Sequence, residues 1–332
     1  MKGNKDMRKQ TAVVCALALV STIGVPSASA QEAKAAEILA KTRQALGGAK
    51  LDALKSLGLE AASQRNMGQM QLAADIEILL EMPDKYVRSE NSRGAMSMTL
   101  NTGFNGDKAI LPAGVSMAGG GAMVIRMGPG GPIGGDAPKL TDEQKAELNK
   151  ASLRSARVEL SRLMLGWFAT THPSLAAQYT YAGEAESPDG KAHVIDVKDA
   201  DGFEARLFID QNNYLPLMVT YKGRQPRIVT AGGPMTGRAQ AAGAGQTQTR
   251  QLTDEERRKL AHDAEAQVTR SMSDQPMVEF SMFFDDWREV DGITFPHLMR
   301  RGSGGETNEE WTISKVKVNP KIDAKKFAVD AR

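Results

Sequence analysis

The side chains most able to do chemistry in this 332-residue chain are four histidines, at positions 172, 193, 262 and 297. A zinc-type site would need them at short helical or loop spacing, with carboxylates or thiolates close by. Neither a His-Glu-x-x-His run nor a pair of cysteines is present. His172 precedes Pro173 at a helix end, His262 sits among charges on a predicted helix, and His297 follows Phe295-Pro296. Each reads as a surface or capping residue. Gly114-Val115-Ser116-Met117-Ala118 approaches a nucleophile elbow but ends on alanine, inside a Gly/Met tract. Asp199-Ala200-Asp201-Gly202 starts like a calcium loop and lacks the later ligands, so it reads as a turn. Asp285 and Asp286 could share acid–base work, yet neighbours on a strand face opposite ways. The glycine runs at 119–121 and 128–135 match no phosphate-binding fingerprint, because no strand feeds them and no helix opens on the last glycine. The expectation is no enzyme, no metal and no cofactor.

Composition says more. Seventeen methionines stand against nine phenylalanines and five tyrosines, an odd balance for a strand-rich chain. Met67, Met70, Met82, Met96, Met98, Met218, Met277, Met282 and Met299 fall in or beside predicted strands, and Met117, Met123, Met127 and Met235 in glycine tracts. Methionine is flexible and polarizable, suited to a surface that adapts to varied apolar partners. For any single residue, core filling is the simpler account. No Met/His cluster supports copper.

The elements follow from periodicity. A helix is predicted from Gln31 to Leu46, ended by Gly47-Gly48. From about Leu54 the period becomes two: Ile76, Ile78, Leu80 and Met82 alternate with charged or smaller partners, and Met96, Met98 and Leu100 do the same. A second series runs through Ile195 and Val197, then Phe203 to Ile209, then Leu215 to Lys222. A third starts at Val278, Phe280, Met282 and Phe284 and ends at Trp311 to Val318. Roughly ten hairpin-linked strands imply one large antiparallel sheet. Two segments interrupt it, at about 112–172 and 223–276. Each holds a glycine-rich tract and then a helix, predicted over about 141–171 and 253–272. Leu140-Thr141-Asp142-Glu143-Gln144 and Leu252-Thr253-Asp254-Glu255-Glu256 both offer a capping box. Convergence on a common helix start explains the pair better than an internal repeat. The first helix turns strongly apolar at Leu160, Leu163, Met164, Trp167 and Phe168, which the sheet or a ligand must cover.

The N-terminus reads as a secretory signal peptide: Lys2, Lys5, Arg8 and Lys9, an apolar run over Thr11 to Val25, and Ala28-Ser29-Ala30 before the expected cut. Removing that leader, with Asp6, takes the net charge of +2 to about −1, which leaves no electrostatic case for nucleic acid. Cys15, the one cysteine, goes with it, so the mature chain is expected to fold as a monomer without disulfides.

The chain resembles the LolA/LolB-like family of periplasmic lipoprotein-handling proteins. The resemblance lies in the leader and in the helix-to-sheet entry from Ala36-Glu37-Ile38-Leu39 through Gly47-Gly48 to Leu57. It continues in Ile78 to Tyr86 with its Met82-Pro83-Asp84, in Leu207-Phe208-Ile209-Asp210 before Leu215-Pro216-Leu217, in Phe283 to Pro296, and in the tail Val316 to Phe327. It implies an α+β fold: a single domain over 31–332, built as a curved, incomplete antiparallel β-barrel with helices covering its concave face. The tract before Thr141 and the Gly223 to Met272 stretch are additions to the family pattern, and no family functional residue maps onto this chain. The implied function is periplasmic binding of lipid or lipoprotein acyl chains and their transfer towards the outer membrane. Partners would be an inner-membrane transporter or regulator and an outer-membrane acceptor. The expected cavity residues are Ile76, Ile78, Leu80, Met82, Met96, Met98, Leu100, Leu207, Phe280 and Met282, with Leu160, Leu163, Met164, Trp167 and Phe168 as lid. An envelope sensor or protein-interaction module on the same scaffold is the alternative reading. A secreted hydrolase using Ser116 or an acid pair is a third.

Overall fold

The computed structural model describes residues 28–67, 70–93, 98–111, 141–187, 190–224 and 276–329, with four short backbone pieces between 115 and 132. Most of the expected leader, Met96, His262 and the second predicted helix with its Thr253 cap lie outside the described residues, as do the side chains of Met67, Met70, Ser116, Met117, Met123, Met127 and Met235.

Helix α1 (Ala28–Leu46) buries Ala35, Ile38, Thr42 and Leu46, the three-and-four spacing of one apolar stripe. It ends where glycine permits: Gly48 has φ +51 and its N–H bonds the Arg43 carbonyl at 2.9 Å. A one-turn α2 (Ala49–Asp52) leads into five strands: β1 (Ser56–Met67), β2 (Met70–Glu81), β3 (Lys85–Arg93), β4 (Thr99–Asn105) and β5 (Lys108–Ile110). Two small ladders follow, β6 (Val115–Ala118) with β7 (Ala122–Ile125) and β8 (Met127–Gly128) with β9 (Gly131–Pro132). Then come α3 (Asp142–Phe168) and seven strands: β10 (Gln178–Ser187), β11 (Gly190–Lys198), β12 (Glu204–Asp210), β13 (Pro216–Arg224), β14 (Met277–Val290), β15 (Ile293–Ser303) and β16 (Glu306–Val318).

Twelve of these strands form one antiparallel sheet in the order β10 to β16, then β1 to β5. The last strand pairs with the first, Leu57 opposite Val318. The sheet therefore has two edges, β5 and β10, and does not close. Two strand assignments from sequence need correction at their ends. Strand β2 stops at Glu81, so Met82 sits in the following turn; β4 starts at Thr99, so Met98 precedes it, its N–H held by Ser92 Oγ at 3.0 Å.

The sheet curls. Glu159 on α3 lies 2.6 Å from Arg301 of β15 and 3.8 Å from Arg88 of β3. Four strand spacings separate β15 from β3, roughly 19 Å in a flat sheet, where side chains standing perpendicular to it would stay that far apart; here two of them converge on one carboxylate. Register breaks at Glu60/Ala61, Tyr181/Gly183, Phe208/Ile209 and Arg301/Gly302 supply the bends. Helix α3 crosses the inner face, packing on β4 and β5 near one edge and on β12 and β13 near the other, while α1 covers β10 and β15. One hydrophobic cluster joins both helices to the inward strand residues. On the outer face a smaller cluster of Val87, Ile110 and Phe327 is closed by the 3₁₀ turn Ala324–Phe327.

Candidate functional site

The inner face is built by alternation. Ile76, Ile78 and Leu80 on β2, Leu207 on β12, and Phe280 and Met282 on β14 are all buried and point into the main cluster. These are six of the ten residues expected to line a cavity. Met82 packs partly buried against the same cluster; Met98 and Leu100 are half-buried.

Helix α3 occupies the space these residues face. Its start is the expected capping box: Thr141 Oγ1 accepts from the Gln144 N–H at 3.2 Å, and Gln144 Oε1 accepts from the Thr141 N–H at 2.9 Å. Asn149 fixes it to the β4–β5 hairpin, accepting from the Ala109 N–H and donating to the Asp107 carbonyl, both at 2.8 Å. Arg154 reaches Asp199 at 2.6 Å. Asp199 in turn accepts from the Asp201 and Phe203 N–H groups, so the Asp199–Gly202 segment is the turn expected of it. Further along, all five expected lid side chains, Leu160, Leu163, Met164, Trp167 and Phe168, are buried. Trp167 Nε1 donates to Met299 Sδ at 3.3 Å. Gly166 lets the helix come within touching distance of β14: a Cβ there would lie 2.0 Å from the Phe284 ring. Beneath Leu163, Met282, Met299 and Trp311 only about 10 Å³ of cavity is left, room for one water at most. An open groove of about 330 Å³ lies elsewhere, between Glu32, Ala36 and Leu39 of α1 and Gln178 and Tyr179 of β10.

One end of this inner face is charged. Arg88 and Glu90 follow Tyr86 in its inward phase on β3, Arg301 follows Met299 on β15, and Glu309 precedes Trp311 on β16. Glu309 meets Arg65 at 2.8 Å, Arg88 at 3.7 Å and Arg301 at 3.9 Å, and accepts from Trp311 Nε1 at 2.7 Å. Glu159 adds Arg301, Arg88 and, at 3.7 Å, Arg162 of its own helix. Arg88 stacks 4.6 Å over Trp311 and Arg162 3.8 Å over Tyr221. Burial alone would push both carboxyls up. The arginines together outweigh it, Arg301 first with Arg162 and Arg88 for Glu159, and Arg301 with Arg88 and Arg65 for Glu309, and hold each at about 2. Sequence reading missed this cluster. The usable signal was phase: a charge in step with the apolar residues of its strand must face inward.

The histidine expectation also needs correction. His172 and His297 are buried rather than at the surface. His172 Nε2 donates to the Pro83 carbonyl (2.8 Å) and its Nδ1 accepts from Ser174 Oγ (2.7 Å), while His297 Nδ1 lies 3.2 Å from the Phe295 carbonyl. His172 ties the end of α3 to the β2–β3 turn, a packing role. His193 stacks on Tyr214. Asp285 and Asp286 are spent on Arg300 and Arg288, and Asp286 has φ +53. Among the described residues no group of three or more His, Cys, Asp or Glu could hold a metal ion, and no helix is long and apolar enough to cross a membrane.

No protein-family model matches this sequence, and no curated protein does. Among solved structures the chain is similar to a LolA superfamily protein from Nitrosomonas europaea, at 9% identity over 89% of this chain and 97% of that one, TM-score 0.44. It is also similar to a domain described as an outer membrane lipoprotein-sorting protein from Vibrio parahaemolyticus, at 9% identity over 89% and 97%, TM-score 0.43. A DUF1329 family protein from Desulfovibrio piger follows at 11% identity over the same shares, TM-score 0.41. The expected fold class, an unclosed, curved antiparallel sheet with helices on its inner face, is the fold of this chain.

Proposed function

We propose that the protein is a non-enzymatic carrier, exported to the periplasm, that takes an acyl chain of a lipid or lipoprotein onto the inner face of its sheet when α3 moves aside. The observation that carries this reading is that α3 fills the concavity while contributing no strand to the sheet. Every ladder between β10 and β5 survives its displacement, so only side-chain burial and α3's polar anchors oppose opening. Burying Leu160, Leu163, Met164, Trp167 and Phe168 is worth roughly 8–15 kcal/mol at about 1.5–3 kcal/mol each. A sixteen-carbon chain laid on the same floor gains roughly 12 kcal/mol at about 0.8 kcal/mol per CH₂. The two are close enough to exchange, which is what loading and unloading between membrane partners requires. The chemistry of transfer is desolvation, with no covalent step.

The test is titration with cis-parinaric acid, followed by energy transfer from the tryptophans. Saturable binding at one probe per chain, reversed by an unlabelled fatty acid, is expected. Absence of saturable binding both in the native chain and in a variant with loosened α3, Gly166→Ala, overturns the proposal.

A further inference from the structure

Charges drawn onto an otherwise apolar inner face need a reason, because a guanidinium left unpaired where water is scarce is destabilising, and here Glu309 is buried and its arginine partners are half-buried. The sheet contributes Arg65, Arg88 and Arg301 against Glu90 and Glu309; α3 contributes Glu159 together with Arg162. When α3 leaves, three guanidiniums face two carboxylates on an apolar floor. Arg301 loses its closest partner, Glu159 at 2.6 Å, and keeps Glu309 only at 3.9 Å. Glu309 serves Arg65 and Trp311 through Oε1, and its Oε2 stands 3.9 Å from Arg301, beyond hydrogen-bond distance. A second observation points the same way. Tyr86 Oη and Arg88 Nε are buried without a hydrogen-bond partner, and Tyr86 feels the charges of Arg88, Glu159 and Arg301. Donors therefore outnumber what Glu159 can accept.

Resting on the carrier reading, we infer that Arg88, Arg301 and Tyr86 form a receptor for the acidic head group of an amphiphile, a carboxylate or phosphate, and that Glu159 is its built-in substitute while α3 is docked. The acyl chain would run from this end over Ile78 and Leu80. Bidentate guanidinium contacts suit both oxyanions, and phosphate offers acceptors for the spare Tyr86 and Arg88 donors. Glu159 and Arg162 leave with the helix as a pair, so the sheet's three guanidiniums against two carboxylates keep one excess positive charge, which a single anion neutralises.

Two measurements test this. In the first, oleate, oleoyl lysophosphatidate and monoolein, which share a chain and differ in head group, displace the neutral dye N-phenyl-1-naphthylamine. Both acids should bind at least tenfold more tightly than monoolein, the better of the two identifying carboxylate or phosphate, and Arg301→Gln should bring the ratio close to one. In the second, Glu159→Ala, which lowers the melting temperature, should regain stability in acetate or inorganic phosphate but not in chloride of equal ionic strength. Equal binding of acids and monoolein, or no anion-specific rescue of Glu159→Ala, overturns the inference. Rescue without binding of any acyl ligand would sink the carrier reading and leave the anion site standing.

Discussion

Adding one methyl group at Gly166 tests how closely α3 is held against the sheet. An alanine Cβ would stand 2.0, 2.3 and 2.5 Å from three atoms of the Phe284 ring, where ordinary carbon contacts lie at about 3.5–4.0 Å. The ring cannot retreat, because Phe284 is itself buried in the main cluster. Overpacking of this kind costs about 1–3 kcal/mol, and replacing glycine by alanine within a helix returns about 1 kcal/mol. With three ring atoms within 2.5 Å, the cost falls in the upper part of that range, about 2–3 kcal/mol, so the docked helix should lose about 1–2 kcal/mol net, and the melting temperature should fall by roughly 2–8 °C. A ligand that competes with α3 gains what the helix loses, a factor of about 5–30. Cis-parinaric acid should therefore bind Gly166→Ala more tightly, acrylamide should quench its tryptophans faster, and Phe284→Leu in the same chain should reverse much of both effects. An unchanged or higher melting temperature with unchanged probe affinity would refute the account of α3 as a close-fitted, displaceable plug.

Acid should loosen the same contact. Glu159 and Glu309 lie near 2 in the folded chain against an ordinary 4.5, so their stabilisation is complete above about pH 5 and is lost as pH falls through 2. Near-ultraviolet dichroism and thermal melts between pH 5 and 2 should show the decline, with a shallower slope in Glu159→Gln; identical slopes would count against the network. Asn149→Ala should cost about 1 kcal/mol and speed hydrogen exchange at the Ala109 amide, leaving exchange in β1 and β16 unchanged. General acceleration across the sheet would mean Asn149 does more than pin the hairpin.

The sheet was legible because most of its strands alternate cleanly: Ile76, Ile78 and Leu80 against Asp75, Glu77 and Leu79 leave one register that buries the apolar set. The α3 start was legible from Thr141 and Gln144, whose chemistry is local. Strand β10, Gln178–Ser187, was missed because an edge strand facing one helix needs little apolar surface; Tyr179 and Tyr181 supply it. The arginine cluster was missed for a different reason. Arg65, Arg88 and Arg301 look like solvent residues until β1, β3 and β15 are curled round one helix, and that curvature depends on bulges no local pattern announces. The buried state of His172 likewise comes from a long-range partner, the Pro83 carbonyl.

Pairing the opening strand with the final one has a consequence for biogenesis. The ladder between β1 and β16 joins residues such as Arg65 and Glu309, 244 positions apart, in the interior of the sheet rather than at a border. A polypeptide made N-terminus first must keep the bare flank of β1 from sticking to its neighbours until synthesis is all but finished, a slow route by topology. Proteolysis or a premature stop ahead of Glu306 would not merely shorten the molecule. It would unzip one continuous surface into two halves, five strands and six, joined only through the stretch that carries α3.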